Sequence, residues 1–345
     1  MDDKIRLANR RDIHLIQKYI KENWSKNHIF TKDKDLFFWQ HKYIDEENLN
    51  FVIAINNDNK ICGVMGFITS NFTTFNKNVW TAIWHINKEL CNNKNTGIKL
   101  LNFILDKFKP NVTSGTQLNQ NVKNIYKFLG FKITTSDHFF LPGVNKSNIF
   151  YTKNKVKKII ETKNKSIQII ITRKVSKEID LINSYIINEN IANYNYTKSY
   201  KDKKYLTHRY DHHPKYKYSV LKIEIDNKIL CQLIVRTIEI NSKKVLRIID
   251  IIYLDLSIDS EFYSCNISKF IIKNKYEYID FVSALNTSIL AEKMGFYKKS
   301  EDDIIPNNFE PFEKKNVEST IAYKLINQKE YYFFKGDADS DRPNE

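Results

Sequence analysis

Long apolar stretches are missing from this chain of 345 residues. No apolar run approaches the roughly 18 to 20 residues that a membrane helix needs. The most apolar pieces, SIQIIIT (166–172) and LRIIDIIYL (246–254), have the length of strands. The opening residues, MDDKIRLANRRD, contain no apolar signal region. We therefore expect no membrane partner and a soluble, cytoplasmic protein.

Cysteine is scarce as well. The four cysteines, Cys62, Cys91, Cys231 and Cys265, lie far apart and form no Cys-x-x-Cys pair. This spacing argues against a zinc site or a disulfide framework, and it suits a reducing compartment such as the cytosol. We expect no bound metal.

Acidic residues are outnumbered, with 55 Lys and Arg against 40 Asp and Glu, so the net charge is +15. The basic residues are scattered along the chain and not gathered into one stripe. A basic surface of this kind is either simply solvated or attracts CoA, nucleotide-sugar phosphates or nucleic acid. We rank the solvated surface first, phosphorylated small molecules second and nucleic acid last.

The chain repeats itself. DIHLIQKYI begins at Asp12 and EIDLINSYI at Glu178, an offset of 166 residues. Three more pairs follow in the same order at nearly the same offset: QHKY and THRY (from 40 and 207), DNKI twice (from 58 and 226), and KFLGF and EKMGF (from 127 and 292). Four ordered matches indicate an internal duplication.

Each copy predicts the same elements. A short strand leads into an amphipathic helix, apolar at 13, 16 and 20 in the first copy and at 179, 182 and 186 in the second. A second helix follows, then two strands joined by the turns NNDNK or DNK, a third strand, and helix, strand, helix and closing strands. We predict an α/β protein with domains 1–151 and 166–345 joined by a basic linker, 152–165. Each domain is expected to be a mixed, mostly antiparallel sheet flanked by helices.

The segment NQNVKNIYKFLGF resembles the GCN5-related N-acetyltransferase (GNAT) family. Members commonly show an Asn, a small residue three positions on, a Tyr four before a Gly, and then Gly-Phe. Here these are Asn119, Val122, Tyr126, Gly130 and Phe131. The order β-α-α-β-β-β-α-β-α-β-β matches the fold of that family. The resemblance covers nearly the whole chain as a tandem pair and is stronger in the first half.

The resemblance implies acetyl-CoA, or another acyl-CoA, as co-substrate. The family's phosphate loop is Q/R-x-x-G-x-G/A before a helix, and CNNKNTGIKLL keeps only Gly97. Asn95 can replace a missing glycine, because asparagine tolerates positive φ. The alternative is a surface loop that caps a core helix, with Thr96 as N-cap. The predicted CoA-binding residues are Ile86 and Asn87, through the main chain of a splayed strand, and Lys94, Asn95, Thr96, Gly97, Ile98, Lys99 and Asn119.

Two residues are our catalytic candidates. The resemblance implies that Tyr126 is the acid that protonates the leaving thiolate. The alternative is a tyrosine that packs on an amphipathic helix. His85, on the strand before the loop, is the candidate base because imidazole titrates near neutrality. A buried, hydrogen-bonded histidine, with a water chain as base, is the alternative.

The second copy has no glycine in its corresponding loop, DLSIDSEFY, and Ala291 stands where the first copy has Tyr126. We therefore expect the second domain to bind no CoA and to shape the acceptor site. HRYDHHPKYKY offers an arginine for phosphate and rings for a base or sugar, without paired metal-ligand spacing. Asp250 is a charge inside an apolar run and needs a partner, for which Arg247 and Arg236 are available. A purely structural ion pair is the alternative to a role in acceptor binding. The predicted acceptor-binding residues are Arg209, His212, His213, Asp250 and Asn286.

The tail FKGDADSDRPNE alternates three aspartates but lacks the Gly and Glu positions of an EF-hand loop. We expect it to be a solvated terminus. It resembles acidic endings of tandem GNAT-like proteins of bacterial surface-polysaccharide clusters. That resemblance implies an acyl-CoA-dependent N-acyltransferase acting on the amino group of a nucleotide-linked amino-deoxy-sugar. A FemX-like aminoacyl-tRNA-dependent transferase and a non-catalytic binding protein with decayed domains stay open as alternatives.

Overall fold

The first half of the chain folds in the predicted order of elements. A computed structural model describes residues 2–42, 47–72, 77–157, 167–173 and 201–343. The elements are β1 (Lys4–Asn9), α1 (Ile13–Asn23), α2 (Lys34–Gln40), β2 (Asn48–Ile55), β3 (Ile61–Thr69), β4 (Asn78–Ile86), α3 (Thr96–Phe108), β5 (Val112–Thr116), α4 (Gln120–Phe128), β6 (Lys132–Thr135) and β7 (Asp137–Pro142). The predicted apolar positions of α1, Ile13, Ile16 and Ile20, are all buried.

The second half repeats this order where it is described. Its elements are β8 (Ile167–Arg173), α5 (Lys203–Leu206), a π-helical turn (Thr207–Asp211), β9 (Ser219–Ile225), β10 (Lys228–Ile240), β11 (Lys243–Leu254), α6 (Ser260–Lys273), β12 (Tyr276–Leu285), α7 (Thr287–Lys293), β13 (Tyr297–Lys298), β14 (Thr320–Leu325) and β15 (Tyr332–Phe334). The predicted helix around 179–186, and residues 158–165 of the predicted linker, lie outside the described residues. The predicted DNK hairpin is confirmed, because Asp226 and Asn227 both have positive φ (47° and 64°), as a type I′ turn requires.

The strands form two mixed sheets in the described part of the chain. The first has the order β1-β2-β3-β4-β5-β14-β6, and the second has the order β13-β7-β12-β11-β10-β9-β8, with β15 also paired to β12. Of the pairs in these sheets, β4–β5 and β11–β12 are parallel and the others antiparallel. The predicted pair of mixed, mostly antiparallel sheets with flanking helices is therefore confirmed.

The two halves exchange one strand each. β7, from the first half, lies between β12 and β13, and β14, from the second half, lies between β5 and β6. Phe139, Phe140 and Leu141 of β7 are fully buried in the second half. Burial of each such side chain contributes roughly 1.5–3 kcal/mol, so each core depends on the other half of the chain. The sequence division at 152–165 therefore does not separate the strands by sheet.

No helix in the described ranges is both long and apolar enough to cross a lipid bilayer.

Candidate active site

The parallel strands β4 and β5 diverge in the middle of the first sheet. They pair from Asn78 with Val112 to Thr81 with Gly115, and no further pairs follow. A register shift against β3 places a bulge in β4 just beyond Thr81. The predicted splayed strand is therefore present, and the gap opens at the carboxyl ends of the two strands.

Tyr126 closes the base of this gap. Asn119 caps its helix, α4, by accepting a hydrogen bond from the Val122 N–H at 3.0 Å. The hydroxyl of Tyr126 lies 2.6 Å from Oγ1 of Thr81, and the side chain is 1% exposed. A Cβ at Gly115 would lie 2.7 Å from that hydroxyl, so glycine is what permits the approach.

The proton on this phenol is held in place. Thr81 Oγ1 donates to the Ser114 carbonyl at 3.2 Å, which leaves its lone pair to accept the Tyr126 proton. Burial raises the pKa of Tyr126 well above its ordinary value. The phenol is therefore protonated at neutral pH and can serve as an acid but not as a base.

Packed apolar side chains connect Tyr126 to the start of α3. The rings of Trp84 and Tyr126 meet edge to face, with centroids 5.4 Å apart. A Cβ at Gly97 would lie 3.3 Å from Ile86 Cγ1 and 3.4 Å from Trp84 Nε1. The one glycine kept from the phosphate-loop pattern thus lets these side chains pack on the helix terminus.

The predicted phosphate loop already holds a carboxylate of the chain itself. Asp3 accepts hydrogen bonds from the N–H groups of Asn92 (2.9 Å) and Asn93 (3.3 Å) and from the Thr96 hydroxyl. Burial alone would raise the pKa of Asp3, but these bonds outweigh it and lower the pKa. Lys99 pairs with Asp2 at 2.9 Å. The loop therefore binds an anion, but that anion is the carboxylate of Asp3, a residue of the same chain.

Two loop details differ from the predictions made from the sequence. Asn95 has φ −95°, so it does not adopt the left-handed conformation we expected in place of a glycine. Thr96 is the first helical residue and not the N-cap, which is Asn95. Lys94 is exposed and Ile98 is half-buried. With a negative φ at Asn95, the loop lacks the backbone turn that a glycine-rich phosphate loop uses.

The main chain of Asn87 is also committed elsewhere. Its N–H donates to the Cys62 carbonyl and the Tyr19 hydroxyl, both at 2.9 Å. Its carbonyl accepts from Leu90 (3.2 Å) and Cys91 (3.1 Å). Pairing of Asn87 with pantetheine is therefore not possible without a rearrangement, which leaves Ile86 as the predicted main-chain contact.

His85 lies on the opposite face of β4 from Trp84. Its Nδ1 is 3.0 Å from the Tyr19 hydroxyl of α1, and its ring stacks near Trp24. Burial lowers the pKa of His85 below its ordinary value. The imidazole is therefore neutral at pH 7, and it and Tyr126 flank the diverging strand from its two faces.

The corresponding gap in the second sheet is filled by the chain. β11 and β12 pair from Lys244 with Tyr276 to Ile248 with Phe281 and then part. β15 pairs with β12 beyond that point, and the Gly336 N–H donates to the Ile249 carbonyl of β11 at 2.9 Å. The tail thus bridges the two strands where a pantetheine chain would lie in the first copy, consistent with a second domain that binds no CoA.

Asp250 is part of a buried charge cluster, but its partner is neither of the predicted arginines. Lys201 lies 2.6 Å from both Asp250 and Asp337, and the Tyr210 hydroxyl donates to Asp250 at 2.6 Å. Burial alone would lower the pKa of Lys201, but the two carboxylates outweigh it and raise the pKa. Ile234 on β10 faces Asp250, whereas Arg236 and Arg247 face each other, which explains the error.

Of the other predicted acceptor residues, Arg209 and His213 pack against Trp39 of the first half. Arg209 is 4% exposed and donates to the carbonyls of Gly336 and Asp341, both at 3.0 Å. His213 stacks on Tyr216, and burial lowers its pKa to about 2. His212 is exposed, and Asn286 is half-buried at the start of α7. Arg209 therefore holds the chain's own tail, and its role toward an acceptor stays a prediction.

The acidic tail is buried, so the expected solvated terminus was wrong. Asp337 and Ala338 are 0% exposed and Asp341 is 2% exposed. Asp341 accepts from Arg236 at 2.7 Å and from the Tyr218 hydroxyl at 2.8 Å. Asp337 and Asp341 of the tail thus each meet a different cationic partner inside the protein, Lys201 and Arg236.

A cavity of about 530 Å³ lies between the two halves. The first half contributes Gln117, Leu118, Asn119 and Lys123, which follow β5 and begin α4. The second half contributes rings and charges of both signs, among them Tyr216, Phe309, Arg236, Arg247, Lys335 and Arg342 and the carboxylates Glu310, Glu318, Asp339 and Asp341. None of the five predicted acceptor residues is among its lining residues, whereas the predicted Asn119 is.

The fold also brings two distant cysteines together. One ligand atom each from Asp3, Cys62 and Cys91 lies within 4.8 Å of the others. The Cys91 thiol donates to the Cys62 carbonyl at 3.3 Å, and burial raises the pKa of both thiols. The Asp3 carboxylate already accepts from the loop N–H groups and the Cys91 thiol donates to a carbonyl, so this cluster fits packing better than metal binding.

Several site residues escaped the sequence analysis. Thr81 is one polar residue in a strand with mixed polarity, and Asp3 and Tyr19 reach the site only through the tertiary fold. Lys335 had a usable signal, because it is a charge directly after the aromatic run YYFF. The same reasoning that selected Asp250 would have selected it.

Solved structures of acetyltransferases share this fold. A GCN5-related N-acetyltransferase from Anabaena variabilis superimposes with a TM-score of 0.55 at 11% identity, over 94% of this chain and 72% of that one. One from Kribbella flavida gives 0.52 at 7% identity, over 94% and 72%. A tandem GNAT protein from the clavulanic acid biosynthesis pathway gives 0.48 at 6% identity, over 93% and 98%.

No protein-family model matches the sequence, and no curated protein matches it. The structural likenesses establish the fold, which is that of two tandem GNAT-like domains.

Proposed function

We propose that this protein is an acyl-CoA-dependent N-acyltransferase that uses acetyl-CoA. The observation that carries the proposal is the protonated Tyr126 hydroxyl at the point where β4 and β5 diverge. Such a gap, lined by the apolar Trp84 and Ile86, suits a pantetheine chain. The fold shared with GCN5-related N-acetyltransferases supports the same activity.

The chemistry requires two proton transfers. The acceptor nitrogen attacks the thioester carbonyl carbon, an N–C bond forms, and the C–S bond breaks as the adduct collapses. The raised pKa keeps Tyr126 protonated until the leaving group forms. Tyr126 then gives its proton to the departing thiolate, and the phenolate recovers a proton from solvent. His85, neutral and on the other face of the strand, takes the proton that the amine loses.

We further propose that the acceptor is the amino group of a nucleotide-linked amino-deoxy-sugar, as in surface-polysaccharide biosynthesis. The cavity between the halves supports a large polar acceptor, because its volume of about 530 Å³ falls in the usual range for ligand sites. Aromatic rings and cations in its wall suit a nucleotide.

Isothermal titration with acetyl-CoA tests the donor. We expect one binding event per chain, followed by release of free CoA when an amino-sugar nucleotide is added. Absence of heat and of a thermal shift at millimolar acetyl-CoA would refute the proposal.

The engaged phosphate loop favours a second candidate, a protein that binds no CoA. The Asp3 carboxylate occupies donors that a pyrophosphate would need. Such a protein would be a FemX-like aminoacyl-tRNA-dependent transferase or a non-catalytic binding protein. Salt-sensitive tRNA binding without acetyl-CoA binding favours the former, and neither activity favours the latter.

A further inference from the structure

Three cations converge on one wall of the cavity between the halves. Arg236 and Arg247 stand directly opposite each other in the β10–β11 pair, and both line the cavity together with Lys335. Like charges directly opposite each other in a sheet destabilise it. An arrangement of this kind therefore needs compensating negative charge.

Carboxylates also line the cavity (Glu310, Glu318, Asp339 and Asp341), and the two that bond the arginines are Asp280 and Asp341. Asp280 accepts from Arg247 at 3.0 and 2.5 Å and lies 2.9 Å from His138 Nε2. Asp341 pairs with Arg236 at 2.7 Å and accepts from the Tyr218 hydroxyl. Each carboxylate thus neutralises one arginine, and neither is bonded to Lys335.

Lys335 makes no direct ion pair in the described part of the chain. Among the described residues, none forms a hydrogen bond with its ammonium either. Burial and the positive charges of Arg247 and Arg236 lower the pKa of Lys335 to about 8, although Asp341 and Asp280 act in the opposite direction. At neutral pH the ammonium still carries its charge, at the edge of a space large enough for a ligand.

Aromatic rings lie on the same wall. The Arg236 guanidinium lies over the Tyr216 ring at 3.8 Å, and that of Arg247 lies over Phe309 at 4.4 Å. Both rings line the cavity. Rings held beside cations provide stacking surfaces next to a phosphate site.

We propose that this cavity is a phosphate-binding site in which Lys335, in the field of Arg236 and Arg247, binds the phosphate groups of the acceptor substrate, such as the diphosphate of a nucleotide-linked sugar. The ligand then forms the direct ion pair with Lys335 that none of the described residues provides. The identification of the ligand as the acceptor rests on the proposed function, but the binding of phosphate does not.

The position of the cavity suits an acceptor. Asn119 lines it and caps the helix that carries Tyr126. On the other side Arg342 lines it and lies 3.4 Å from His28, whose ring stacks on Trp24, the neighbour of His85. The cavity therefore lies next to the helix that carries Tyr126 on one side and to the ring cluster of His85 on the other.

Inorganic pyrophosphate, titrated in the absence of acetyl-CoA, tests the site. We expect it to raise the melting temperature of the wild type and to bind Lys335→Met at least about tenfold more weakly, because a charge-assisted bond is lost. Without ligand, Lys335→Met should melt no lower than the wild type, because the half-buried ammonium that is removed forms no ion pair or hydrogen bond with the described residues. Lys329→Met, an exposed lysine six residues earlier, is the matched control and should bind as the wild type does.

The outcomes separate the possible errors. Absence of pyrophosphate binding, or equal binding by wild type and Lys335→Met, overturns the site. A lower melting temperature of ligand-free Lys335→Met assigns the lysine a structural role and also overturns it. An equal loss of acetyl-CoA affinity in Lys335→Met means that the cavity holds the donor, which contradicts an acceptor site. Failure of acetyl-CoA to bind at all, with pyrophosphate binding intact, refutes only the proposed transferase.

Discussion

The Tyr126 hydroxyl donates to Oγ1 of Thr81, 2.6 Å away, at the last residue pair before β4 and β5 diverge. Thr81 in turn donates to the Ser114 carbonyl, so the direction of the Tyr126 bond is fixed. An acid must keep its proton until the leaving group forms. Thr81 holds the Tyr126 proton through a hydrogen bond from an uncharged side chain, so the phenol stays neutral inside the protein.

Removal of the Tyr126 hydroxyl should slow acetyl transfer strongly and leave acetyl-CoA binding nearly unchanged. We expect Tyr126→Phe to lower the rate of acetyl transfer by about 10² to 10⁴, the usual contribution of a general acid. The affinity for acetyl-CoA should change little, because the aromatic ring at the base of the gap between β4 and β5 remains. Steady-state kinetics combined with acetyl-CoA titration measures both. Tyr151→Phe, at a half-exposed tyrosine, is the control, and an equal effect of both substitutions would contradict the role of Tyr126.

Asp3 should compete with the CoA phosphates for the loop. We expect Asp3→Asn to bind acetyl-CoA roughly tenfold more tightly, because a charged competitor for the same N–H groups is lost. Calorimetry against Asp106→Asn, an exposed carboxyl on α3, the helix that follows the loop, measures the difference. Unchanged affinity in Asp3→Asn would mean that the phosphates bind elsewhere.

Buried histidine makes the fold sensitive to acid. Burial lowers the pKa of His208 to about 4, from an ordinary value of 6.5. Because the folded state favours the neutral ring, this stability is present above pH 6.5 and is lost as the pH falls toward 4. The loss from His208 is at most roughly 3 kcal/mol. Chemical denaturation at pH 7 and pH 4.5 should show a smaller difference for His208→Gln than for the wild type.

His208 also forms hydrogen bonds between the two halves, so its substitution should affect stability at neutral pH as well. Its Nε2 donates to the Trp39 carbonyl at 2.8 Å, and Trp39 Nε1 donates to the His208 carbonyl at 3.0 Å. His208→Gln should therefore be less stable than the wild type at pH 7. A difference between the two pH values as large as that of the wild type would show that His208 does not titrate in this range.

The strand exchange should make the halves unfold together. Phe140 on β7 is fully buried in the second half, and its truncation to alanine should cost about 3–5 kcal/mol. We expect one cooperative transition for Phe140→Ala, shifted to lower denaturant, by both fluorescence and circular dichroism. Phe128→Ala, at an 80% exposed ring, should be neutral. Two separate transitions would contradict the coupling of the two cores.

Local patterns predicted the elements well. The period of Ile13, Ile16 and Ile20 located α1, and the turn residues Asp226 and Asn227 located a hairpin, because both depend on neighbours in sequence. The exchange of β7 and β14 could not be read in this way. Equivalent strands of a duplication carry similar patterns, so either copy fits either sheet and only packing decides between them.

The candidate site was predicted in part. Tyr126 and Asn119 follow from a spaced motif, and the structure places them at the strand gap and the cavity edge. The partner of Asp250 was wrong because an apolar run shows only that a charge is buried, not which distant residue meets it. Lys201 precedes Asp250 by 49 residues, a separation that no local pattern bridges.

Hydrogen exchange with and without acetyl-CoA tests the central claim most directly, since it reports both whether and where the donor binds. We predict that acetyl-CoA slows exchange in peptides covering residues 82–99 and around Tyr126, and leaves the corresponding loop of the second copy, 255–263, unchanged. Unchanged exchange throughout the chain, or protection confined to 255–263, would contradict an acyltransferase whose CoA site is the gap between β4 and β5.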